Sequence, residues 1–181
     1  MTDIRFERIG VERAGELAEL QATTFREAYA GVHTRENIEA YIGANYTMAV
    51  AEADLSANET VCCLGLVDSA AFGYYLIKHV DCPMALDSSS SELKQIYVLS
   101  SEYGRGLGHS LYQHAIEAIA SAGRKWVWLC VSDVNYRAQA FYRKLGFSKL
   151  GAGPILEVGS DRLESSILAR EARDPVNKGD S

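Results

Sequence analysis

The stretch that decides the fold begins with ELKQIYVLSSEYGRGLG, residues Glu92–Gly108, and ends with NYRAQAFYRKLGF, residues Asn135–Phe147. Its first part has the pattern of a strand, a glycine loop and a helix. Three glycines within residues 104–108 let the backbone approach an anion closely and turn its N–H groups toward it. A helix that begins at the loop adds unpaired N-terminal donors and the positive end of its dipole. This order predicts a phosphate-binding loop, with a plain strand-to-helix turn as the alternative.

The loop differs from two common nucleotide-binding motifs. A dinucleotide fingerprint requires G-x-G-x-x-G and an acidic residue further on, and a nucleotide-triphosphate loop requires a Lys-Ser/Thr pair. Neither pattern occurs at residues 103–109. A second apolar run, Lys125–Val131, follows the helical segment and predicts another strand before the second motif.

Together the two motifs resemble those of the GNAT superfamily of acyl-CoA-dependent N-acetyltransferases. The family's loop, Arg/Gln-x-x-Gly-x-Gly/Ala, places Gly106 and Gly108 at its two small positions. Its downstream signature, Asn-x-x-Ala-x-x-Phe-Tyr-x-Lys-x-Gly-Phe, is matched by Asn135, Ala138, Phe141, Tyr142, Lys144, Gly146 and Phe147. The resemblance implies an enzyme with acetyl-CoA as co-substrate and an amine as acceptor. The N-terminal run from Phe25 to Tyr41 and the Val158–Asp161 segment are similar to those of bacterial spermidine/spermine acetyltransferases.

Composition bounds the other functions. The 181 residues, 48% of them hydrophobic, suit one domain with a sizeable core. The net charge of −6 argues against a nucleic-acid surface and mildly favours a cationic partner. The four cysteines and four histidines show no metal-ligand spacing, so we predict no metal site. No apolar signal core or membrane-length run is present, and we expect a cytoplasmic protein without a membrane partner.

The remaining patterns place these motifs in a single α/β domain over residues 1–170, followed by a polar tail over 171–181. We predict a GNAT-like mixed sheet of about six to seven strands flanked by helices. Its predicted elements are a first strand at Thr2–Ile9, helices at Val11–Ala30, after Thr34 and at Met48–Leu55, a hairpin turning at Asp68-Ser69, a loop at Asp81–Ser91, and closing strands at Ser148–Ile155 and Arg162–Ala169. Gly73, inside the second hairpin strand, suggests a bulge.

The resemblance implies a role for each residue of the two motifs. The backbone of Tyr103, Gly104, Arg105, Gly106, Leu107, Gly108 and His109 would bind the pyrophosphate of the cofactor. Ile96, Tyr97 and Val98 would lie beside its pantetheine arm, with the Val98 N–H toward the thioester carbonyl. Asn135 would bind the pantetheine, and Tyr142 would be the general acid. From the residues alone, Asn135 is equally a helix cap and Tyr142 equally a half-buried core residue. Tyr103 stands where the family most often has Arg or Gln, and Arg105 is a candidate for the compensating charge.

The general base is left open by the sequence. Many family members have a Glu four residues before the position of Val98, but here that residue is Lys94, which cannot act as a base while protonated. Simple strand alternation puts Glu92 on the same face as Lys94 and Ile96, so Glu92 acting through water is the favoured candidate. Asp133 and Glu27 are the other options. The loss of the usual base also keeps open a non-catalytic acyl-CoA-binding regulatory module.

The first two helices line the acceptor pocket in this family. Phe25, Glu27 and Tyr29 are therefore the candidate substrate-binding residues, with Glu36 and Tyr41 nearby. Aromatic rings combined with carboxylates can hold a cationic amine. We expect a small-molecule amine or polyamine as acceptor, no nucleic-acid partner, and a homodimer as one oligomeric state compatible with the sequence.

Overall fold

The computed structural model describes residues 3–173. Most of the predicted polar tail, residues 174–181, lies outside the described residues. The last strand extends to Glu171, one residue beyond the predicted limit of the domain. No helix in the described range is long and apolar enough to cross a membrane.

A seven-stranded sheet forms the centre of the molecule, in the order β1-β2-β3-β4-β5-β9-β6. The nine strands found within residues 3–173, including two of a separate hairpin, are β1 Ile4–Arg8, β2 Thr60–Val67, β3 Ala70–Lys78, β4 Ser90–Val98, β5 Trp126–Ser132, β6 Ser148–Ala152, β7 Leu156–Val158, β8 Asp161–Leu163 and β9 Ser165–Glu171. Among the strands of the described residues only β4 and β5 pair in parallel, and the other neighbours in the sheet are antiparallel. The prediction of a mixed sheet of six to seven strands is confirmed.

In the part of the chain that the structure describes, five α-helices cover the two faces of the sheet. They are α1 Ala14–Tyr29, α2 Arg35–Asn45, α3 Met48–Ser56, α4 Leu107–Ser121 and α5 Tyr136–Lys144. On α4 the residues Leu107, Leu111, Ala115 and Ile119 recur every four positions and are buried against one face of the sheet. On the other face Leu17 of α1 and Ala51 of α3 pack against β2 and β3. The α/β sandwich thus has two cores separated by the sheet.

Local signals in the sequence locate the helix starts and the first hairpin correctly. Thr34 caps α2, since its hydroxyl accepts a hydrogen bond from the Asn37 N–H at 3.2 Å. The same contact from Thr47 to the Val50 N–H begins α3. At the β2–β3 turn, Asp68 and Ser69 both have positive φ, 48° and 72°, the conformation that a two-residue hairpin requires.

Two register shifts interrupt the pairing of β3, one with β2 and one with β4. One lies next to Gly73, where Gly65 pairs with Gly73 and Leu66 with Ala71, as the glycine suggested. The other leaves Lys94 of β4 unpaired, because Leu76 pairs with Gln95 and Ile77 with Leu93. This second bulge makes the alternation expected from the sequence wrong, since it separates Glu92 from the face of Ile96.

The closing segment differs from the two strands predicted after α5. Between β6 and β9 the chain forms a short hairpin of β7 and β8, three residues each. The hairpin rests on α2, where Asn37 Oδ1 accepts hydrogen bonds from the Ser160 N–H at 3.1 Å and from its hydroxyl at 3.2 Å. Strands this short carry no measurable alternation, so sequence periodicity did not predict them.

Candidate active site

The two central strands, β4 and β5, separate in the middle of the sheet. They pair only from Ser90–Glu92 to Trp126–Trp128, and β4 then continues to Val98 without a partner on that side. The Leu99 N–H donates to the Phe72 carbonyl at 2.8 Å, toward β3. Because N–H groups alternate in direction along a strand, those of Ile96 and Val98 point into the gap. Unpaired backbone donors thus face an opening in the sheet.

Two cavities meet at this gap, one of about 390 Å³ and one of about 400 Å³. The cofactor cavity, as we name the first, lies beside the glycine loop and the start of α5. The acceptor cavity lies under α1, α2 and the β7–β8 hairpin. Both walls include Ile96, Tyr97, Asn135, Ala138 and Tyr142. The shared wall makes them two ends of one passage.

The glycine loop presents a row of free amides to the cofactor cavity. Gly104 and Gly106 have φ of 80° and 76°, a left-handed conformation that favours glycine. In the described part of the chain the N–H groups from Gly104 to Gly108 have no hydrogen-bond partner, whereas the Tyr103 N–H donates to Ser100 and the His109 N–H to Gly106. Of the seven residues predicted to bind the pyrophosphate through their backbone, residues 104–108 therefore have N–H groups free to do so. These donors at the start of α4 fit a diphosphate.

Two residues predicted for the cofactor site do not lie on its wall. Arg105 forms an ion pair with Glu102, and His109 is exposed on α4. The other predicted residues do line the cavity: Ile96, Tyr97, Val98, Tyr103, Gly104, Gly106, Leu107, Gly108, Asn135 and Tyr142. Arg137, which sequence reasoning missed, joins them and stacks over the ring of Tyr103.

Asn135 caps α5 and also faces both cavities. Its side-chain oxygen accepts a hydrogen bond from the Ala138 N–H at 3.0 Å. No hydrogen bond within residues 3–173 uses its amide nitrogen, which leaves a donor at the junction of the passage. The two roles considered from the sequence, helix cap and ligand contact, are thus compatible in one side chain.

Tyr142 also lies at the junction of the two cavities. Its ring is half-buried and packs edge-on against Phe141 and Phe147, with centroid distances of 5.4 and 5.5 Å. Burial raises the pKa of the Tyr142 phenol well above the ordinary value. The hydroxyl therefore remains protonated at neutral pH and can donate a hydrogen bond into the passage.

The acceptor cavity has an aromatic wall built from α1 and α2. Phe25 is only 4% exposed and stacks on Tyr41, and the tilted ring of Tyr29 also packs against it, each at a centroid distance of 4.5 Å. Phe25 and Tyr29 line the cavity as predicted. Glu27 is not among its lining residues, and its carboxylate accepts a hydrogen bond from the Ser100 N–H at 2.8 Å. Glu27 is therefore placed to hold the turn that follows β4.

Glu92 lies on the wall of the acceptor cavity and is half-buried. Burial raises the pKa of its carboxyl group, and the nearby charges of Lys94 and Lys78 oppose that rise. Asp133, the other strand-end candidate for the base, lines a different cavity with Arg143 and Lys149 and accepts a hydrogen bond from Ser166. Of the three carboxylates considered from the sequence, only Glu92 reaches the acceptor cavity.

Lys94, Glu157 and His33 are among the residues of the acceptor wall that the sequence did not assign to acceptor binding. Lys94 reaches it from the bulge, Glu157 comes from the β7–β8 hairpin, and His33 follows α1. The hairpin was not predicted, so nothing in the sequence placed Glu157 here. The pairing of His33 with Asp161 across 128 residues is likewise a contact that no local pattern could reveal.

Comparisons with known proteins agree with this geometry. The model of the acetyltransferase (GNAT) family matches residues 16–147. An uncharacterised N-acetyltransferase of Mycobacterium tuberculosis is 28% identical over 158 residues, which cover 87% of this chain and 97% of that protein. The streptothricin acetyltransferase of Streptomyces lavendulae is 32% identical over 68 residues, covering 38% of this chain and 36% of that protein.

Solved structures share the fold at lower identity. The PaiA N-acetyltransferase of Thermoplasma acidophilum, determined in complex with coenzyme A, superposes with a TM-score of 0.75 at 19% identity and covers 93% of this chain and 99% of its own. The ribosomal-protein-S18-alanine N-acetyltransferase of Escherichia coli superposes with a TM-score of 0.66 at 17% identity, with coverage of 97% and 98%. With the family model matched over most of its length, the chain belongs to the acetyltransferase (GNAT) family and is an acyltransferase that uses acetyl-CoA as co-substrate.

Proposed function

We propose that the enzyme transfers the acetyl group directly to a primary amine of a small molecule or polyamine. The observation that carries this proposal is the continuous passage through the sheet, with the phosphate-binding loop at one end and the aromatic acceptor cavity at the other. The two ends meet at Ile96, Asn135 and Tyr142. Two substrates that enter from opposite sides would therefore meet beside unpaired backbone donors.

Direct transfer is supported by the state of the one cysteine on the acceptor wall. Cys130 lines the cavity, but burial raises the pKa of its thiol to about 11. The thiol is therefore protonated at neutral pH, and only the thiolate is an effective nucleophile. An acyl-cysteine route has little support here, and the amine itself would attack.

Three groups of the chain carry the chemistry. When bound, acetyl-CoA supplies the thioester whose acetyl group is transferred. The Val98 N–H, directed into the gap, would stabilise the negative charge that develops on the carbonyl oxygen. Tyr142 would donate a hydrogen bond to the leaving sulfur, because its phenol stays protonated. Glu92, through water, would accept the proton of the attacking amine, and its raised pKa makes the carboxylate a stronger base than an ordinary glutamate.

The chemistry of the acceptor wall supports an amine as acceptor. Tyr29, Tyr41 and Tyr46 offer ring faces and hydroxyl groups, and Glu92 and Glu157 add negative charge. A spermidine/spermine-type polyamine is one member of this class. The homodimer remains a prediction, to be tested by light scattering.

The alternative of a non-catalytic acyl-CoA-binding module rested on Lys94. Family membership makes the chain an acetyltransferase, and Lys94 is exposed at a bulge. Since Glu92 supplies a carboxylate to the same cavity, the lysine does not leave the site without a candidate base.

The test is thiol release from acetyl-CoA in the presence of primary amines, polyamines and N-terminal peptides, with Tyr142→Phe in parallel. We expect turnover with small amines and a loss of about a hundredfold in kcat for Tyr142→Phe. Tyr136→Phe on the same helix is the matched control, because Tyr136 is 75% exposed. Turnover of peptides alone would refute the small-molecule acceptor, and equal rates for both variants would remove the role of Tyr142.

A further inference from the structure

Lys94 brings a positive charge to the acceptor cavity. The bulge in β4 leaves it unpaired between Leu93 and Gln95, and the residue is exposed. Burial raises the pKa of the Glu92 carboxyl and of the Cys130 thiol, and the charge of Lys94 acts against both rises. Glu92 and Cys130 line the same cavity as Lys94. The ammonium group is therefore on the side of β4 that faces the acceptor, where a ligand can reach it.

No group of the described chain neutralises this charge at close range. Among residues 3–173 Lys94 takes part in no ion pair and no side-chain hydrogen bond. Lys78 on the neighbouring strand β3, in contrast, has its Nζ 2.8 Å from Asp54 Oδ1. On the opposite wall of the cavity, the carboxylate of Glu157 lies 3.5 Å from the Arg162 guanidinium. Three donors on a mobile, charged side chain thus remain for a bound anion.

Lys94 lies away from the point of transfer. It belongs to the acceptor wall alone, whereas Ile96, two residues further along β4, is on the wall shared with the cofactor cavity. Because each strand residue advances by about 3.3 Å, the two positions are at most about 7 Å apart. A molecule whose reacting amine lies beside Ile96 and Tyr142 would therefore meet the ammonium group with its other end. A cavity of about 400 Å³ has room for a short chain between them.

The charges on the wall indicate which chemical group that other end carries. A second ammonium group would be repelled by Lys94, and an apolar end would leave the lysine without a partner. A carboxylate has a single negative charge, which one lysine balances. A doubly charged phosphate would keep an unbalanced charge in a cavity that already contains Glu92 and Glu157. A carboxylate therefore fits this wall best.

Resting on the proposed function, we propose that Lys94 is a specificity-determining residue that binds the carboxylate of an amino acid acceptor. The amine of this acceptor lies at the shared wall, near Tyr142, and its carboxylate accepts a hydrogen bond from the Lys94 ammonium group. Among small primary amines the enzyme thus selects those with a carboxylate at the other end of a short chain. Polyamines are the poorer acceptors.

The test measures kcat/KM for linear ω-amino acids, ω-aminoalkyl phosphates, n-alkylamines and α,ω-diamines of equal chain length. Lys94→Met removes the charge and keeps most of the length of the side chain, Lys94→Arg keeps the charge, and Lys94→Glu reverses it. Lys149→Met is the matched control, because Lys149 is also an exposed lysine on a strand but lines the separate cavity beside Asp133.

The readout is the ratio of kcat/KM for the amino acid to kcat/KM for the alkylamine within each variant. An effect of Lys94 on Glu92 as the base would change both acceptors alike and cancels from this ratio, as does a partly unfolded sample. We expect Lys94→Met to lower the ratio about five- to twentyfold, mainly through the KM of the amino acid. Lys94→Arg should keep most of the ratio, and Lys94→Glu should shift the preference to the diamine.

The KM of acetyl-CoA should not change in these variants, and Lys149→Met should keep the ratio of the wild type. A wild-type enzyme that uses alkylamines or diamines as well as amino acids overturns this inference, and so does an unchanged ratio in Lys94→Met. A preference for aminoalkyl phosphates over amino acids would overturn the assignment of a carboxylate. These results leave the proposed function intact. No turnover of any amine by the wild type would refute the proposed function, and this inference with it.

Discussion

The guanidinium carbon of Arg137 lies 4.7 Å from the centroid of the Tyr103 ring, at the wall of the cofactor cavity. Tyr103 occupies the position where the family most often has Arg or Gln. A positive charge that position 103 itself lacks is therefore available from Arg137 on α5, which the fold brings to the same place. Arg105, the compensating residue suggested by the sequence, pairs with Glu102 instead. An arginine over a tyrosine ring is well suited to bind phosphate while its stem stays fixed.

Replacing Arg137 should therefore weaken cofactor binding. We expect Arg137→Ala to raise the KM of acetyl-CoA about three- to tenfold with little change in kcat. The KM of the variant should also depend less on salt concentration than that of the wild type. Arg143→Ala is the matched control, since Arg143 is on the same helix but lines the separate cavity beside Asp133. Equal effects of the two substitutions would show that net charge, and not the stacked position, is responsible.

The cofactor side could be predicted from the sequence because its parts are local. The free amides come from consecutive residues, 104–108, and the conformation that exposes them depends on Gly104 and Gly106. The cap at Asn135 likewise depends on a contact three residues away. Motifs of this kind depend on neighbours in the sequence, so most of the residues predicted for the cofactor site line the cavity, with Arg105 and His109 as the exceptions.

The acceptor side could be predicted only in part because it is assembled by distant contacts. Asn37 meets Ser160 across 123 residues, and His33 meets Asp161 across 128. The bulge at Lys94 also changes which side chains of β4 face the cavity, so counting by twos from Ile96 gives the wrong face for Glu92. Phe25, Glu27 and Tyr29 were predicted together because the resemblance implies that the first two helices line the acceptor pocket; Phe25 and Tyr29 line the cavity and Glu27 does not.

Gly106 and Gly108 should respond differently to alanine. At Gly106, φ of 76° makes any side chain strained although its Cβ would meet no atom within 4 Å. At Gly108 the conformation is ordinary and a Cβ would touch only Val98 Cγ2 at 3.6 Å. We expect Gly106→Ala to lower the free energy of unfolding by about 1 kcal/mol and to weaken acetyl-CoA binding in calorimetry. Gly108→Ala should bind acetyl-CoA like the wild type. The reverse order would show that contact with the ligand, and not backbone strain, decides this loop.

Glu92 should link activity to pH if it is the general base. Only the ionised carboxylate accepts a proton, so kcat should fall as the pH decreases through its pKa, which burial raises above the ordinary value of about 4.3. Lys94, Lys78, Asp54 and Cys130 are the titratable groups that interact with it, and of these Lys94 and Lys78 counter the rise. We expect Glu92→Gln to lower kcat at least about tenfold and to abolish this acidic limb. An unchanged pH profile in Glu92→Gln would exclude Glu92 as the base.

The raised pKa of Glu92 also affects the stability of the fold. Here we expect Glu92→Gln to be favourable, whereas the same substitution lowers kcat. A carboxyl group whose pKa is higher in the folded than in the unfolded state favours folding while it is protonated, and this contribution is lost as the pH rises through the folded pKa. Glu92→Gln should therefore melt at a higher temperature than the wild type near neutral pH. Below the ordinary glutamate pKa of about 4.3 the difference should shrink. A variant less stable than the wild type at neutral pH would show that Glu92 is held by favourable contacts and not merely tolerated for function.

Gly159, at the tip of the β7–β8 hairpin, determines how closely the hairpin approaches α2. Its φ is 60°, and a Cβ there would lie 2.6 Å from the Cα of Asn37, a distance that requires backbone to move. Gly123, in the turn after α4, has a similar φ of 75° but no atom within 4 Å of the added Cβ. The two glycines thus share the conformational cost of substitution and differ only in the contact.

We expect backbone strain to lower the free energy of unfolding by about 1 kcal/mol in both Gly159→Ala and Gly123→Ala. In Gly159→Ala the displaced hairpin should lower it further. Only Gly159→Ala should raise the KM of the amine acceptor, because the hairpin carries Glu157 and the Asp161 partner of His33. The KM of acetyl-CoA should be unchanged in both variants, since the cofactor cavity lies on the other side of the shared wall. Steady-state kinetics with both substrates varied, beside thermal unfolding, separate these effects. An unchanged acceptor KM in Gly159→Ala would mean that the hairpin covers the cavity without contributing to the selection of the acceptor.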